Sequence, residues 1–357
     1  MSLHFHPIAV KEVRIETPDC VSVVFDIPES LKEEFAFKAG QNLAIKAIIN
    51  GKEVRRSYSL CTAPFENTWK VAIKKVEGGL FSVYANETLK EGDVLEVMPP
   101  AGNFMVTLHP EKKRNYVAIV AGSGITPVLS LVKTILKTEP QSFVTLVFGN
   151  KNRNSVMFFE ELEAIKNKYL ERFCLIHVFS REKTEAELNH GRITKEKLNE
   201  LSSLVSFASA DEFFLCGPKQ MIFTTKDFLE SAGIDKKKIH FELFSSQESN
   251  DTTPLSKEEF SSPGSNITVT VDGRSFSFDI AAGDSTTILD AALKQGADLP
   301  YACKGGMCCT CKAKLLEGKV KMDVHWGLED DEVERGYILT CQSHPVTEKV
   351  VVDFDIK

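Results

Sequence analysis

Four cysteines near the C-terminal end constrain this chain more than any other feature. Cys303, Cys308 and Cys311 stand in Asp298-Leu-Pro-Tyr-Ala-Cys303-Lys-Gly-Gly-Met-Cys308-Cys309-Thr-Cys311, and Cys341 closes Ile338-Leu-Thr-Cys341. Thiolates spaced C-x4-C-x2-C with a distant fourth hold a [2Fe–2S] cluster. Gly305 and Gly306 let the four-residue gap curl, because glycine reaches conformations closed to a side chain. A curled backbone turns N–H groups toward sulfur, which tunes the reduction potential. A structural zinc site uses two close cysteine pairs or a Cys/His mixture. Here the single short pair is Cys308/Cys311, with no histidine beside it. An odd total of 9 cysteines in 357 residues argues against a disulfide framework. Cys309 breaks the spacing and is set aside as a ligand.

An electron carrier at the end of a long chain needs an electron source. With 357 residues there is room for two or three domains, each with a core of its own. A net charge of −7 excludes the basic face that nucleic-acid binding requires. The start, Met1-Ser-Leu-His-Phe-His, lacks the basic and apolar regions of a signal peptide. No apolar run reaches bilayer length. The five cysteines outside the ligand set suit a reducing compartment, so a cytoplasmic location is expected.

In the first hundred residues, Val21, Val23, Phe25 and Ile27 alternate with mainly polar neighbours, the mark of a half-buried strand. Further short runs fall at 42–49, 57–60, 69–75 and 94–98, and predict a closed antiparallel barrel. Two patches there suit a flavin nucleotide. In Arg56-Ser57-Tyr58-Ser59, arginine can fork onto phosphate, tyrosine can lie against a flat ring, and serine can bond a ring nitrogen. Gly78-Gly79-Leu80-Phe81-Ser82 follows a strand and opens a helix, where backbone N–H groups suit a pyrophosphate. Each patch alone also fits an ordinary turn or chance.

In this order and within thirty residues, the two patches resemble the flavin domain of the ferredoxin–NADP reductase superfamily. The resemblance implies that Arg56, Tyr58 and Ser59 contact FAD, with Ser59 near the reacting N5. It sets Gly79, Leu80, Phe81 and Ser82 at the pyrophosphate and adds Lys74 and Thr126 to the FAD contacts. Pro100-Ala-Gly102-Asn-Phe104 is similar to the segment that closes this domain. Lys38-Ala39-Gly40-Gln41 departs from the family, which often has proline before the glycine, and implies a slightly different turn. FAD over FMN rests on this likeness alone.

From 109 to 244 the rhythm becomes α/β. The apolar run 116–121 is typical of a buried parallel strand. It leads through Gly122-Ser123-Gly124 into a helix with Pro127 in its first turn. Strand, glycine turn and helix bring backbone and helix dipole to a phosphate. The fuller G-x-G-x-x-G is absent. Strands at 143–148, 173–179 and 212–215 end at Gly149-Asn150, Ser180-Arg181 and Cys216-Gly217-Pro218, and ligands bind at such ends. The superfamily carries Cys216-Gly217-Pro218 and Met221 beside the nicotinamide, which makes Cys216, with Ser59, a catalytic candidate. It reads the adenosine ribose at Ser180-Arg181, where a forked charge favours a 2′-phosphate and hence NADPH. A solvated arginine is the competing view.

Residues 245–265 are polar, serine-rich and broken by Pro254 and Pro263, and read as a linker, either swinging or packed along a surface. Beyond it come a hairpin with an Asp272-Gly273 turn, a helix over 287–295 closed by Gly296, and a last strand at 350–354. This pattern resembles the β-grasp of plant-type ferredoxins. In that range 15 Asp and Glu face 10 Lys and Arg, charge that either steers docking to a basic partner or simply solubilises.

The expected architecture is therefore multidomain: an antiparallel β-barrel flavin domain (1–108), an α/β parallel-sheet nucleotide-binding domain (109–244), the linker (245–265), and an α+β [2Fe–2S] ferredoxin domain (266–357). That order is the order of single-chain oxygenase reductases. Asp290-Ala-Ala-Leu-Lys-Gln-Gly-Ala-Asp-Leu-Pro-Tyr-Ala-Cys-Lys-Gly-Gly306, Gly318-Lys-Val, Gly336-Tyr-Ile-Leu-Thr-Cys341 and Val350-Val-Val-Asp-Phe354 resemble the reductase subunits of phenylacetyl-CoA epoxidase systems. Arg55-Arg-Ser-Tyr-Ser-Leu-Cys61 and Glu77-Gly-Gly-Leu-Phe-Ser82 fit them too. The resemblance implies NADPH as donor, FAD and the cluster as carriers, and a di-iron oxygenase as partner. A reductase for another Rieske or di-iron oxygenase, a stand-alone diaphorase-like reductase and a redox-sensing module are the alternatives.

Overall fold

The computed structural model describes residues 4–244 and 264–356, which form two compact units: the first two sheets make one, the C-terminal sheet the other. Most of the expected linker, 245–263, lies outside the described residues. Among those described, no helix is long and apolar enough to cross a membrane.

The first sheet holds β1 (His6–Thr17), β2 (Cys20–Asp26), β3 (Asn42–Ile49), β4 (Lys52–Ser59), β5 (Trp69–Lys74) and β6 (Val94–Val97), with α1 (Leu80–Glu87) after β5. Its order is β4-β3-β6-β1-β2-β5. Leu60 bridges Val71, and the Cys61 N–H donates to the Lys70 carbonyl at 2.9 Å, so the two edge strands meet and the sheet closes. Closure removes the unpaired edges that would otherwise seek another chain. Ile8, Val23, Leu43, Ile45, Leu60, Val71, Ile73 and Val97 fill the interior with no exposed surface. The buried Trp69 indole N–H donates to the Phe35 carbonyl at 2.7 Å, the partner such a ring needs. β1 escapes the sequence pattern because register shifts at Val10/Glu12 and Ile15/Thr17 break its alternation.

The second sheet is wholly parallel. It holds β7 (Asn115–Ala121), β8 (Phe143–Asn150), β9 (Phe173–Phe179), β10 (Glu212–Gly217) and β11 (Ile239–Leu243), in the order β11-β10-β7-β8-β9. Its helices are α2 (Ile125–Thr138), α3 (Phe159–Lys168), α4 (Lys195–Leu201) and α5 (Lys219–Ser231). α2 is buried nearly all round and shares a core with α3 and β7 to β9. The order reverses between β10 and β7, and a crevice at such a switch point takes ligands.

Barrel and parallel sheet are joined by polar groups around a buried lysine. The Lys133 ammonium on α2 lies 2.7 Å from both Glu66, after the barrel strand β4, and Glu161 on α3. Ser130 Oγ donates to the Thr62 carbonyl at 2.6 Å. Burial pulls the Lys133 pKa down, but the two carboxylates outweigh it and the net shift is upward. Its contribution to stability is therefore whole at neutral pH and is lost only as pH rises through that raised value.

The C-terminal sheet is built from β12 (Ser265–Val271), β13 (Arg274–Ile280), β14 (Lys312–Glu317), β16 (Tyr337–Leu339) and β18 (Lys349–Asp353). Its order is β13-β12-β18-β14-β16; β12 and β18 are parallel and the other pairs antiparallel. A side ribbon pairs β15 (Val320–Met322) with β17 (Ser343–Pro345), and the helices are α6 (Ile288–Lys294) and α7 (Asp330–Glu334). The Asp272-Gly273 turn has positive φ at both residues, and Asp355 accepts both of their N–H groups at 2.8 Å. This is the expected β-grasp.

The Lys133→Met variant is expected to lose about 2–3 kcal/mol of stability in urea titrations, below the full buried-pair range because both carboxylates are about a third exposed. Adding Glu66→Gln and Glu161→Gln to it should recover much of that loss. Equal stability of Lys133→Met and the parent would show that the triad contributes nothing.

Candidate functional site

On the barrel, Tyr58 and Ser59 end β4. The Tyr58 ring packs 5.5 Å from that of Phe81 at a tilt of 37°. Phe81 is 1% exposed and belongs to the barrel core, so only its backbone can face a ligand. Ser82 Oγ accepts the Val76 N–H at 3.1 Å and donates to the Gly79 carbonyl at 3.3 Å, fixing the turn into α1. Gly79 caps α1, and the N–H groups of Leu80, Phe81 and Ser82 occupy the first turn, where a helix has donors to spare for an anion. Lys74, at the end of β5, lies 3.4 Å from Asp19. Arg56 is partly exposed on β4 and donates to the Arg55 carbonyl at 2.8 Å.

At the parallel sheet, Gly122, Ser123 and Gly124 make one helical turn leading into α2. A Cβ on Gly124 would stand 2.2 Å from the Cys216 carbonyl oxygen, so only glycine lets the β7 turn and the end of β10 come this close. Thr126 Oγ1 donates to the Ser123 carbonyl at 3.0 Å and braces that turn. Gly217 and Pro218 lead directly into α5, where Met221 is buried. At the end of β9, the Ser180 N–H donates to the Asn150 carbonyl at 2.9 Å and the Arg181 N–H to that of Lys151 at 2.8 Å, leaving the Arg181 side chain exposed.

Ser59 Oγ donates to Glu242 Oε2 at 3.1 Å, across from barrel to parallel sheet. Glu242 pairs in register with Cys216 on the neighbouring strand. Burial raises the Cys216 thiol well above its ordinary pKa and Glu242 adds to it, so the thiol is neutral and not a nucleophile. Sequence reasoning named Ser59 and Cys216 but not Glu242, which the fold sets beside both. The available signal was a lone carboxylate inside the apolar strand Ile239–Leu243.

In the C-terminal unit, Cys308, Cys311 and Cys341 are buried and Cys303 is half-buried. Among the described residues no three metal-binding side chains converge on one point, as a single ion would require. The four thiols lie on one loop and on the segment before β17, with Cys303, Cys308 and Cys311 on the loop and Cys341 on the segment. Four thiols in this spacing would hold a two-iron cluster. The Gly305 N–H points at Cys303 Sγ at 3.3 Å, the Cys308 N–H at the same sulfur at 3.5 Å, and Thr310 Oγ1 at Cys308 Sγ at 3.2 Å. The Cys308 hydrogen bond outweighs burial and, with these backbone donors, pulls Cys303 down to about 6. Of the two glycines in the gap, Gly306 has the positive φ; the other left-handed positions are Lys304 and Cys309. Cys309 Sγ turns to the Gly327 carbonyl at 2.7 Å.

Family models match in three places: an oxidoreductase FAD-binding domain over 7–106, an oxidoreductase NAD-binding domain over 118–227, and a 2Fe-2S iron-sulfur cluster binding domain over 269–346. The chain is 45% identical to the E component of 1,2-phenylacetyl-CoA epoxidase from Escherichia coli, over 99% of this chain and 98% of that one. It is 32% identical to the ferredoxin reductase component of 3-ketosteroid-9-alpha-monooxygenase from Rhodococcus rhodochrous, over 97% and 96%. Among solved structures, phthalate dioxygenase reductase aligns over 98% of each chain with a TM-score of 0.60 and 23% identity, a likeness of fold. The chain belongs to the family of the phenylacetyl-CoA epoxidase E component, within the ferredoxin–NADP reductase superfamily, and is an oxidoreductase that passes electrons from NAD(P)H through FAD and a [2Fe–2S] cluster.

Proposed function

We propose that this chain takes its electrons from NADPH and delivers them, in the cytoplasm, to the di-iron oxygenase subunits of a phenylacetyl-CoA epoxidase. The observation that carries the acceptor is the 45% identity with the epoxidase E component along almost the whole chain, against 32% for the steroid monooxygenase component. The proposed domains are residues 1–108 for FAD, 109–244 for the nucleotide, and 266–357 for the cluster, with 245–265 as linker.

Bound FAD exchanges a two-electron hydride for single electrons, and the cluster carries these one at a time. The residues supply position and charge. Arg56 and the α1 N–H groups of Leu80, Phe81 and Ser82, held by Gly79, would take the FAD phosphates, with Tyr58 against its ring and Lys74 and Thr126 at its edges. Ser59 Oγ would face the flavin N5, and its hydrogen bond to Glu242 gives the hydroxyl one direction and a route for a proton. The neutral Cys216 thiol, with Gly217, Pro218 and Met221, would form the wall for the nicotinamide. Gly122, Ser123 and Gly124 would take the pyrophosphate, and Ser180 and Arg181 the 2′-phosphate. Cys303, Cys308, Cys311 and Cys341 would hold the cluster.

Anaerobic mixing with NADPH should bleach flavin and cluster, and adding oxygen, epoxidase oxygenase subunits and phenylacetyl-CoA should then consume the thioester. Bleaching without thioester consumption would reassign the acceptor. Arg181→Ala should raise KM for NADPH about tenfold and leave that for NADH unchanged. An equal effect on both would remove the 2′-phosphate reading. Ser59→Ala should slow flavin reduction by about 10- to 100-fold, with nucleotide affinity kept. Cys309→Ser should retain full iron and visible absorption, whereas Cys308→Ser should lose both. Iron loss in Cys309→Ser would change the ligand set.

A further inference from the structure

Asn150 ends β8 and is 8% exposed. Neither the oxygen nor the nitrogen of its carboxamide has a hydrogen-bond partner among the described residues. Burying a donor and an acceptor with both bonds unmade is costly, and in a folded protein such a group calls for an explanation. The half-buried His177 ring also lacks a hydrogen bond among the described residues, but it lies among the rings of Phe148, Phe159 and Phe179 with Glu163 at 4.0 Å.

The place of Asn150 in the sheet supplies the explanation. In parallel register Ala121 is level with Gly149, so Asn150 stands one step beyond, beside the Gly122–Gly124 turn. On its other side the Asn150 carbonyl accepts the Ser180 N–H at 2.9 Å and Ser180 Oγ at 3.3 Å. Adjacent strands are about 4.8 Å apart, so Asn150 stands about one strand from the glycine turn and one from Ser180 and Arg181. A nucleotide laid along these strand ends, from pyrophosphate at the turn to adenosine at β9, passes over it. The last torsion of an asparagine is broad, so a modest rotation aims the carboxamide outward.

We propose that the Asn150 carboxamide binds the adenosine half of the nicotinamide nucleotide, offering its NH₂ as donor and its oxygen as acceptor to a ribose hydroxyl or the phosphate beside it. The inference rests on the nucleotide lying along the strand ends, and it holds for NADPH and NADH alike. The group is then a binding residue whose unmade bonds in the free protein are made by ligand.

The test is calorimetric titration of the full-length protein, and of Asn150→Leu and Asn150→Gln, with ADP, with adenosine 2′,5′-bisphosphate and with nicotinamide mononucleotide, plus thermal melts without nucleotide. For Asn150→Leu we expect about a tenfold rise in Kd for both adenosine probes, no change for the mononucleotide, and a melting temperature equal to or above the parent's. Asn150→Gln should recover part of the affinity. Unchanged Kd for both adenosine probes would overturn the proposal. A lower melting temperature for Asn150→Leu would also overturn it, since the carboxamide would then be satisfied within the protein. The parent's own preference between the two adenosine probes separately tests the NADPH reading.

Discussion

The approach of the Gly124 turn to the Cys216 carbonyl is the constraint on which the nucleotide half depends. Two strand ends can meet this closely only where one of them has no side chain. Their meeting lies where the strand order reverses between β7 and β10, the place where such sheets take ligands. Cys216 then stands next to Glu242 in register, and Glu242 reaches Ser59 on the barrel. A single methyl group at Gly124 would thus press on the strand that leads, through Glu242, to the Ser59 hydroxyl on the barrel.

Electrostatics divides the work between the two units in different ways. In the first, charges are paired: a buried Lys133 with two part-exposed carboxylates, and Glu242 under a hydroxyl. In the second, neutral donors surround sulfur: N–H groups at Cys303 and a hydroxyl at Cys308. Thr340 donates to the Cys311 carbonyl and Gln342 to that of Lys304, so the segment carrying the fourth cysteine is held to the loop carrying the other three.

What could be read from the sequence were features whose meaning is local. Cysteine spacing, buried runs such as 173–179 and the Asp272-Gly273 turn each state their structure within a few residues. β1 was hidden because two bulges spoil its alternation. The short strands β14 to β17 were hidden because pairing with distant partners, not their own pattern, makes them strands. Glu242 was missed since its role comes from register with Cys216 and contact with a residue 183 positions earlier. Phe81 shows the reverse: the motif was visible, but only the fold separates its ring, buried in the barrel, from its N–H at the helix start.

The Lys133 triad and the Ser130–Thr62 hydrogen bond have a consequence for motion. Hinged opening between barrel and parallel sheet would part Lys133 from Glu66 and Ser130 from the Thr62 carbonyl, while Lys133 kept Glu161 on its own side. These contacts favour a fixed spacing of the two halves. A joint of this kind makes the geometry between barrel and parallel sheet a property of the resting fold and not of the bound ligand.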